Sequence, residues 1–193
     1  MDHFSKTREL VRIGLFTGFT CVVALVLKWG GEILVPFSFL PMMSLLAGVL
    51  LGSRAGAKSM LAYILMGLVG IPVFAKPPFG GPLYVLQPTF GFLLGFVAAA
   101  FLAGWVLERF EEPTVFHYGL AMGAGLLAIY GIGLPYLWLI VNFYLGKAMS
   151  VATALKVGVL PFIGLDLIKA GLAAALARMI AQRVTWLERG SAS

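Results

Sequence analysis

Asp166 and Lys169 stand three residues apart inside the stretch Leu160-Pro161-Phe162-Ile163-Gly164-Leu165-Asp166-Leu167-Ile168-Lys169, which is otherwise apolar. At that spacing both side chains lie on one face of a helix, where carboxylate and ammonium partly neutralise each other. Each charge costs roughly 2.5–3.5 kcal/mol to place at the centre of a membrane helix, so such residues are kept for a reason. Two uses are open. The pair can tie helices together, or it can offer an acidic acceptor and an ammonium donor to a polar ligand in an apolar setting. A second candidate is the segment 71–88, where Phe74, Phe79, Tyr84 and Gln87 sit among glycines and prolines. Aromatic side chains with a few polar groups suit a pocket for a small organic molecule, and they equally suit an aromatic belt at a membrane interface. A third is Gly14 and Gly18, a small-xxx-small pair that lets another helix approach closely, inside this chain or from a partner.

The remaining chemistry is sparse. His3 and His117 are the histidines, Cys21 the sole cysteine, and no His-Glu-x-x-His or Cys/His cluster occurs. Metal sites and internal disulfides are therefore not expected, and Cys21 reads as a small apolar core residue. No Gly-x-x-x-x-Gly-Lys-Ser/Thr phosphate loop occurs, so this chain is not expected to hydrolyse ATP by that route. The pattern is that of a binder or conductor with no cofactor, not a catalyst. A membrane enzyme using Asp166 as acid or base, with Lys169 tuning it, is the rival; a purely structural membrane protein is a third reading.

The elements that must position these residues follow from composition. Of 193 residues, 61% are hydrophobic and 11% charged, and the mean hydropathy is +0.99. That is too little charge to cover a soluble fold, whose usual share is about 25%. Lipid removes the need, provided backbone amides are bonded within helices or a closed barrel, and long apolar runs favour helices. The net charge of +6 does not form a basic face, so nucleic acid is not an expected partner. Membrane lipid is.

Divided at charges and Gly/Pro clusters, the chain reads as a single all-α integral membrane domain, 1–193, with six transmembrane helices at about 10–27, 41–52, 56–70, 89–106, 117–141 and 161–180. The loop 53–56 precedes the third helix. Five prolines and Gly80-Gly81 forbid a helix across 71–88. The stretch 150–156 reads as a short interfacial helical turn. Lys6, Arg8 and Arg12 before an apolar run resemble the start of a secretory signal, but no small-x-small cleavage site follows, so the run is kept as the first span. Six spans put nine Lys and Arg on one side (Lys6, Arg8, Arg12, Arg54, Lys58, Arg109, Arg178, Arg183, Arg189) and four on the other (Lys28, Lys76, Lys147, Lys156). The positive-inside rule then places both termini in the cytoplasm and the loop 71–88 outside. Trp29, Trp105 and Trp138 read as belt residues.

Four segments of this sequence resemble the BioY family, the biotin-specific substrate-binding (S) components of energy-coupling factor (ECF) transporters. They are Leu45-Leu46-Ala47-Gly48-Val49-Leu50-Leu51-Gly52, Gly67-Leu68-Val69-Gly70-Ile71-Pro72-Val73-Phe74-Ala75, Pro88-Thr89-Phe90-Gly91-Phe92-Leu93-Leu94-Gly95-Phe96, and the Asp166–Lys169 segment after its Pro-Phe opening. The likeness extends over nearly the whole chain. It implies the six-helix S-component fold of a multi-pass protein of the cell (cytoplasmic) membrane, with cytoplasmic termini. It also implies a biotin site on the external side, roofed by the loop between the third and fourth helices. Asp166 and Lys169 would anchor the polar groups of biotin, with Tyr84, Gln87, Thr89 and Phe92 as further lining. Gly14 and Gly18 would pack on the transmembrane coupling subunit. Separate ATPase subunits would supply energy while the S component topples in the membrane. Two stretches depart from the family pattern. Pro36-Phe37-Ser38-Phe39-Leu40 stands for Pro-x-Thr-Leu-Gln and loses a glutamine; Gln87-Pro88-Thr89-Phe90-Gly91-Phe92 stands for Gly-Pro-Thr-Gly-Gly-Tyr and loses two glycines and a phenol. A differently lined pocket is expected, for biotin, its precursor or another vitamin.

Overall fold

The computed structural model describes residues 2–29 and 38–190, with side chains for 6–26, 28 and 38–181. Among them the secondary structure is helical throughout. The helices are α1 (Asp2–Trp29), α2 (Leu40–Leu51), α3 (Ser53–Leu68), α4 (Phe90–Leu107), α5 (Val115–Leu139), α6 (Val151–Gly158) and α7 (Ile163–Gly190). A 3-10 turn occupies Pro82–Leu86, and α5 runs on into one π-helical turn at Ile140–Tyr144. The sequence reading of the connection over 32–37, including Pro36 and Phe37, and of the side chains of His3, Trp29, Arg183 and Arg189 lies outside the described residues.

Helix ends follow local chemistry. Pro41 occupies the first turn of α2, where a missing N–H costs nothing. Pro135 sits inside α5, a helix that gives way to the wider turn at 140–144. The loop expected at 53–56 is instead the first turn of α3. A single residue, Gly52 at φ +88°, makes the whole turn between α2 and α3, a backbone conformation open to glycine without strain. The first amide of α3, buried and without a partner inside its own helix, is then satisfied from a distant element: the Ser53 N–H and hydroxyl donate to Glu108 Oε1 and Oε2 at 2.7 and 2.8 Å. The short turn expected at 150–156 is α6, whose Ser150 Oγ accepts from the Thr153 N–H. Pro161 lies in the turn between α6 and α7, and α7 starts at Ile163, running on to Gly190.

The core is built on α4. Gly91, Gly95, Ala99 and Ala103, spaced by four and buried, form one small-residue stripe. A Cβ added at Gly95 would lie 2.9 Å from the Ile129 Cα of α5, so the two backbones nearly touch. On its other side α4 meets α2, where a Cβ at Gly48 would lie 2.2 Å from the Ala100 carbonyl oxygen. Such close approach suits helices that associate where lipid gives no hydrophobic drive, because packing and weak backbone contacts do the work instead. Tyr63, Phe74, Leu45 and Met60 are fully buried around this centre. Against it α1 packs on α3 through Thr17, whose hydroxyl reaches the Ser59 carbonyl and hydroxyl at 3.1 Å each.

By length and composition, Lys6–Val26, Phe90–Leu107 and Val115–Tyr144 can each cross a bilayer, and α6 with α7, bent by 50° at their junction, forms a fourth candidate. The apolar helix α2 has 12 residues and α3 has 16, short of the roughly 20 that a straight span takes.

Candidate ligand-binding site

Asp166 and Lys169 lie on the first two turns of α7, 5% and 7% exposed. Lys169 Nζ donates to Asp166 Oδ1 at 3.0 Å and to the Ser38 carbonyl at 2.7 Å. The Tyr130 hydroxyl of α5 donates to Asp166 Oδ2 at 2.6 Å. Each carboxylate oxygen therefore has a partner, as a buried charge requires. The Tyr130 ring meets Phe92 of α4 edge to face at 6.3 Å between centroids, and Lys169 Nζ lies 5.9 Å from the Phe39 ring centroid. Phe39, Phe92, Tyr130, Asp166 and Lys169 thus form one neighbourhood, contributed by the entry to α2 and by α4, α5 and α7. It keeps spare capacity. A lysine ammonium has three protons and a carboxylate about four acceptor positions, so the bonds seen here do not saturate either group.

Tyr130 escaped the sequence reading. One polar hydroxyl in an apolar span was its only signal, and nothing local pairs residue 130 with residue 166. Phe92 reaches the pair's surroundings through the Tyr130 ring. The loop residues are placed differently. Tyr84 is buried, its ring tilted against Phe74 at 4.3 Å, and burial pushes its phenol above the ordinary tyrosine value. The Thr89 hydroxyl, at the entry to α4, is buried near that phenol and makes no hydrogen bond of ordinary geometry. Gln87 Nε2 donates to the Pro77 carbonyl at 3.2 Å, closing the loop on itself. Phe79 carries Lys28 Nζ 3.6 Å above its ring, while the same ammonium donates to the Pro72 carbonyl at 3.3 Å. Tyr136 of α5 donates its hydroxyl to the Val85 carbonyl. The segment 71–88 is therefore an ordered cover, fastened to α1 and α5.

Gly14 and Gly18 have open space where a Cβ would stand, and Leu15 beside them is 71% exposed. Close packing among the described residues does not account for them. Trp105 is exposed with the Arg109 guanidinium 3.6 Å above its ring, and Trp138 Nε1 donates to the Met149 carbonyl. Cys21 is buried beside the Met66 sulfur at 4.0 Å. Among the described residues no group of His, Cys, Asp and Glu is arranged to hold a metal ion.

A family model described as the BioY family matches residues 1–186. The chain belongs to the BioY family. It is 42% identical over 156 residues to a probable biotin transporter BioY of Lysinibacillus sphaericus, covering 79% of this chain and 76% of that one. To the biotin transporter BioY of Thermotoga maritima it is 36% identical over 171 residues, covering 88% and 94%. A solved structure, that of the S component for biotin from an ECF-type ABC transporter, superposes with a TM-score of 0.76 at 24% identity, covering 94% of this chain and 95% of the other. This BioY chain therefore has the ECF S-component fold. As a member of a transporter family it is a membrane protein and not an enzyme, which agrees with the reading of its apolar sequence.

Proposed function

We propose that this chain is the biotin-binding S component of an ECF-type importer, bringing biotin across the cytoplasmic membrane. The observation that carries the reading is the buried Asp166–Lys169 pair, oriented by Tyr130 and walled by Phe92, in a chain whose relatives are named biotin transporters. Biotin carries a ureido ring with two N–H donors and a carbonyl acceptor, on an apolar bicycle. Asp166 suits the donors and Lys169 the acceptor, and the aromatic rings suit the bicycle. Tyr84, Gln87 and Thr89 act as the roof above it. The Thr89 hydroxyl, buried beside the Tyr84 phenol at the entry to α4, adds a polar group to that roof.

In the same reading the chain makes six crossings with both termini in the cytoplasm, surrounded by membrane lipid. Its short helices α2 and α3 are accommodated by their central packing against α4. The open face at Gly14 and Gly18 receives the transmembrane coupling subunit, and separate ATPase subunits drive transport. Equilibrium binding of labelled biotin to the purified, detergent-solubilised chain tests this. Saturable binding displaced by biotin and not by unrelated vitamins supports it. Absence of binding by folded protein, or displacement by a different vitamin, rejects biotin as the ligand.

A further inference from the structure

Away from the Asp166–Lys169 pair, a second set of charges surrounds a space. Arg8 and Arg12 are one turn apart on α1, and Arg54 and Lys58 one turn apart on α3. Because α1 and α3 pack together at Thr17 and Ser59, all four cations line one open cavity of about 730 Å³ beside the Gly52 turn. Two carboxylates line it as well, and both are committed. Glu9 pairs with Lys58 at 2.7 Å, and Glu108 holds the Ser53 N–H and hydroxyl. Among the described residues no ion pair takes up Arg8, Arg12 or Arg54. Four cations thus face two carboxylates across the cavity, and its three guanidinium groups, though Glu9 acts on Arg54 through space, are held in no direct ion pair; each is a planar fork suited to phosphate oxygens.

The surroundings say where that phosphate comes from. Val11 and Leu15 stand three residues on from Arg8 and Arg12, on the adjoining turn of α1, and are 53% and 71% exposed. The cavity therefore opens at the edge of the apolar α1 stripe that also carries Gly14 and Gly18, a surface that lipid covers whenever the coupling subunit is not seated on it. We propose that this cavity seats the phosphate of an anionic phospholipid head group, held by Arg8, Arg12 and Arg54, with the acyl chains lying along α1. Under the orientation proposed above it faces the cytoplasmic leaflet, where anionic lipids give basic residues their largest attraction. The site does not depend on which vitamin the chain binds.

The test is a titration of the full, detergent-solubilised chain with fluorescent phosphatidylglycerol at physiological salt, with fluorescent phosphatidylcholine beside it. Phosphatidylglycerol is expected to bind saturably and phosphatidylcholine at least tenfold more weakly. R12Q/R54Q should weaken phosphatidylglycerol binding on the order of 30-fold while its melting temperature stays that of the parent. Should that double variant not fold, Arg8→Gln is read instead, with a loss of about fivefold. Equal binding of the two lipids, or undiminished phosphatidylglycerol binding by a folded variant, overturns the proposal. Glycerol phosphate and inorganic phosphate form the last arm. Failure of both to displace the labelled lipid supports a membrane source, and displacement at comparable concentration assigns the cavity to a soluble phosphate and overturns the lipid reading.

Discussion

Lys169→Met removes the ammonium and keeps most of the apolar stem, so it isolates the charge. In the parent, Nζ makes two bonds, to Asp166 and to the Ser38 carbonyl, and both ionised side chains are nearly inaccessible. Taking one partner from a buried ion pair costs ~3–5 kcal/mol because the other charge is stranded. Here Asp166 keeps the Tyr130 hydrogen bond, so the loss should fall at the low end, about 3 kcal/mol. Asp166→Asn strands the buried Lys169 ammonium in the same way, although the new amide still accepts from Tyr130 and Lys169 still donates to Ser38, so that variant should also lose about 3 kcal/mol. The double variant D166N/K169M strands nothing. It should cost less than the two singles together, by a coupling of about 2 kcal/mol. Unfolding of the solubilised chain in denaturant gives the three stabilities, and labelled biotin, titrated where each variant is folded, gives the affinities. Each single substitution should weaken biotin by roughly 10- to 100-fold, the worth of a charged hydrogen bond. Additive stability losses would refute the coupling. Unchanged affinity in both singles would refute the anchor assignment, whatever the stabilities show.

Tyr130→Phe should leave the chain folded and weaken biotin about tenfold by releasing Asp166 Oδ2, which the same titration checks. Gly14→Leu or Gly18→Leu should leave folding and biotin binding of the isolated chain unaltered, yet abolish co-purification with the coupling subunit; intact co-purification would move that interface elsewhere. Gly48→Leu should be severely destabilising, by at least ~3 kcal/mol, because the added Cβ meets the Ala100 carbonyl oxygen and no flexible side chain is there to yield. Glu108→Ala should cost about 1 kcal/mol in thermal or denaturant unfolding, through the uncapped start of α3. The Tyr84 phenol, raised by burial above its unfolded value near 10, contributes stability that is complete below about pH 10 and is lost as the pH climbs through the raised value. Tyr84→Phe should therefore flatten the alkaline limb of the melting-temperature profile.

The features legible in the sequence were those set by neighbours along the chain. Long apolar runs require helices in lipid, proline and glycine clusters interrupt them, and a spacing of three puts Asp166 and Lys169 on one face whatever surrounds it. Those rules placed α2, α4 and α5 close to their observed bounds, left α1 and α7 short of Asp2 and Gly190, and picked out the charged pair and the segment 71–88. They failed at 53–56, where a loop was expected. The stop signal there was a single glycine, and the carboxylate that completes the helix start lies 55 residues away in Glu108.

What the tertiary structure alone decided has the same physical origin. Tyr130 reaches Asp166 across 36 residues, and Lys169 reaches the Ser38 carbonyl across 131. No periodicity encodes such pairings, because they depend on which helix faces pack together. The stripe on α4 and the pair Gly14 and Gly18 share the same small-residue spacing, yet one is sealed against α5 and the other stands open. Spacing determines that a close approach is permitted; only the packed bundle determines whether this chain uses it or leaves it for another.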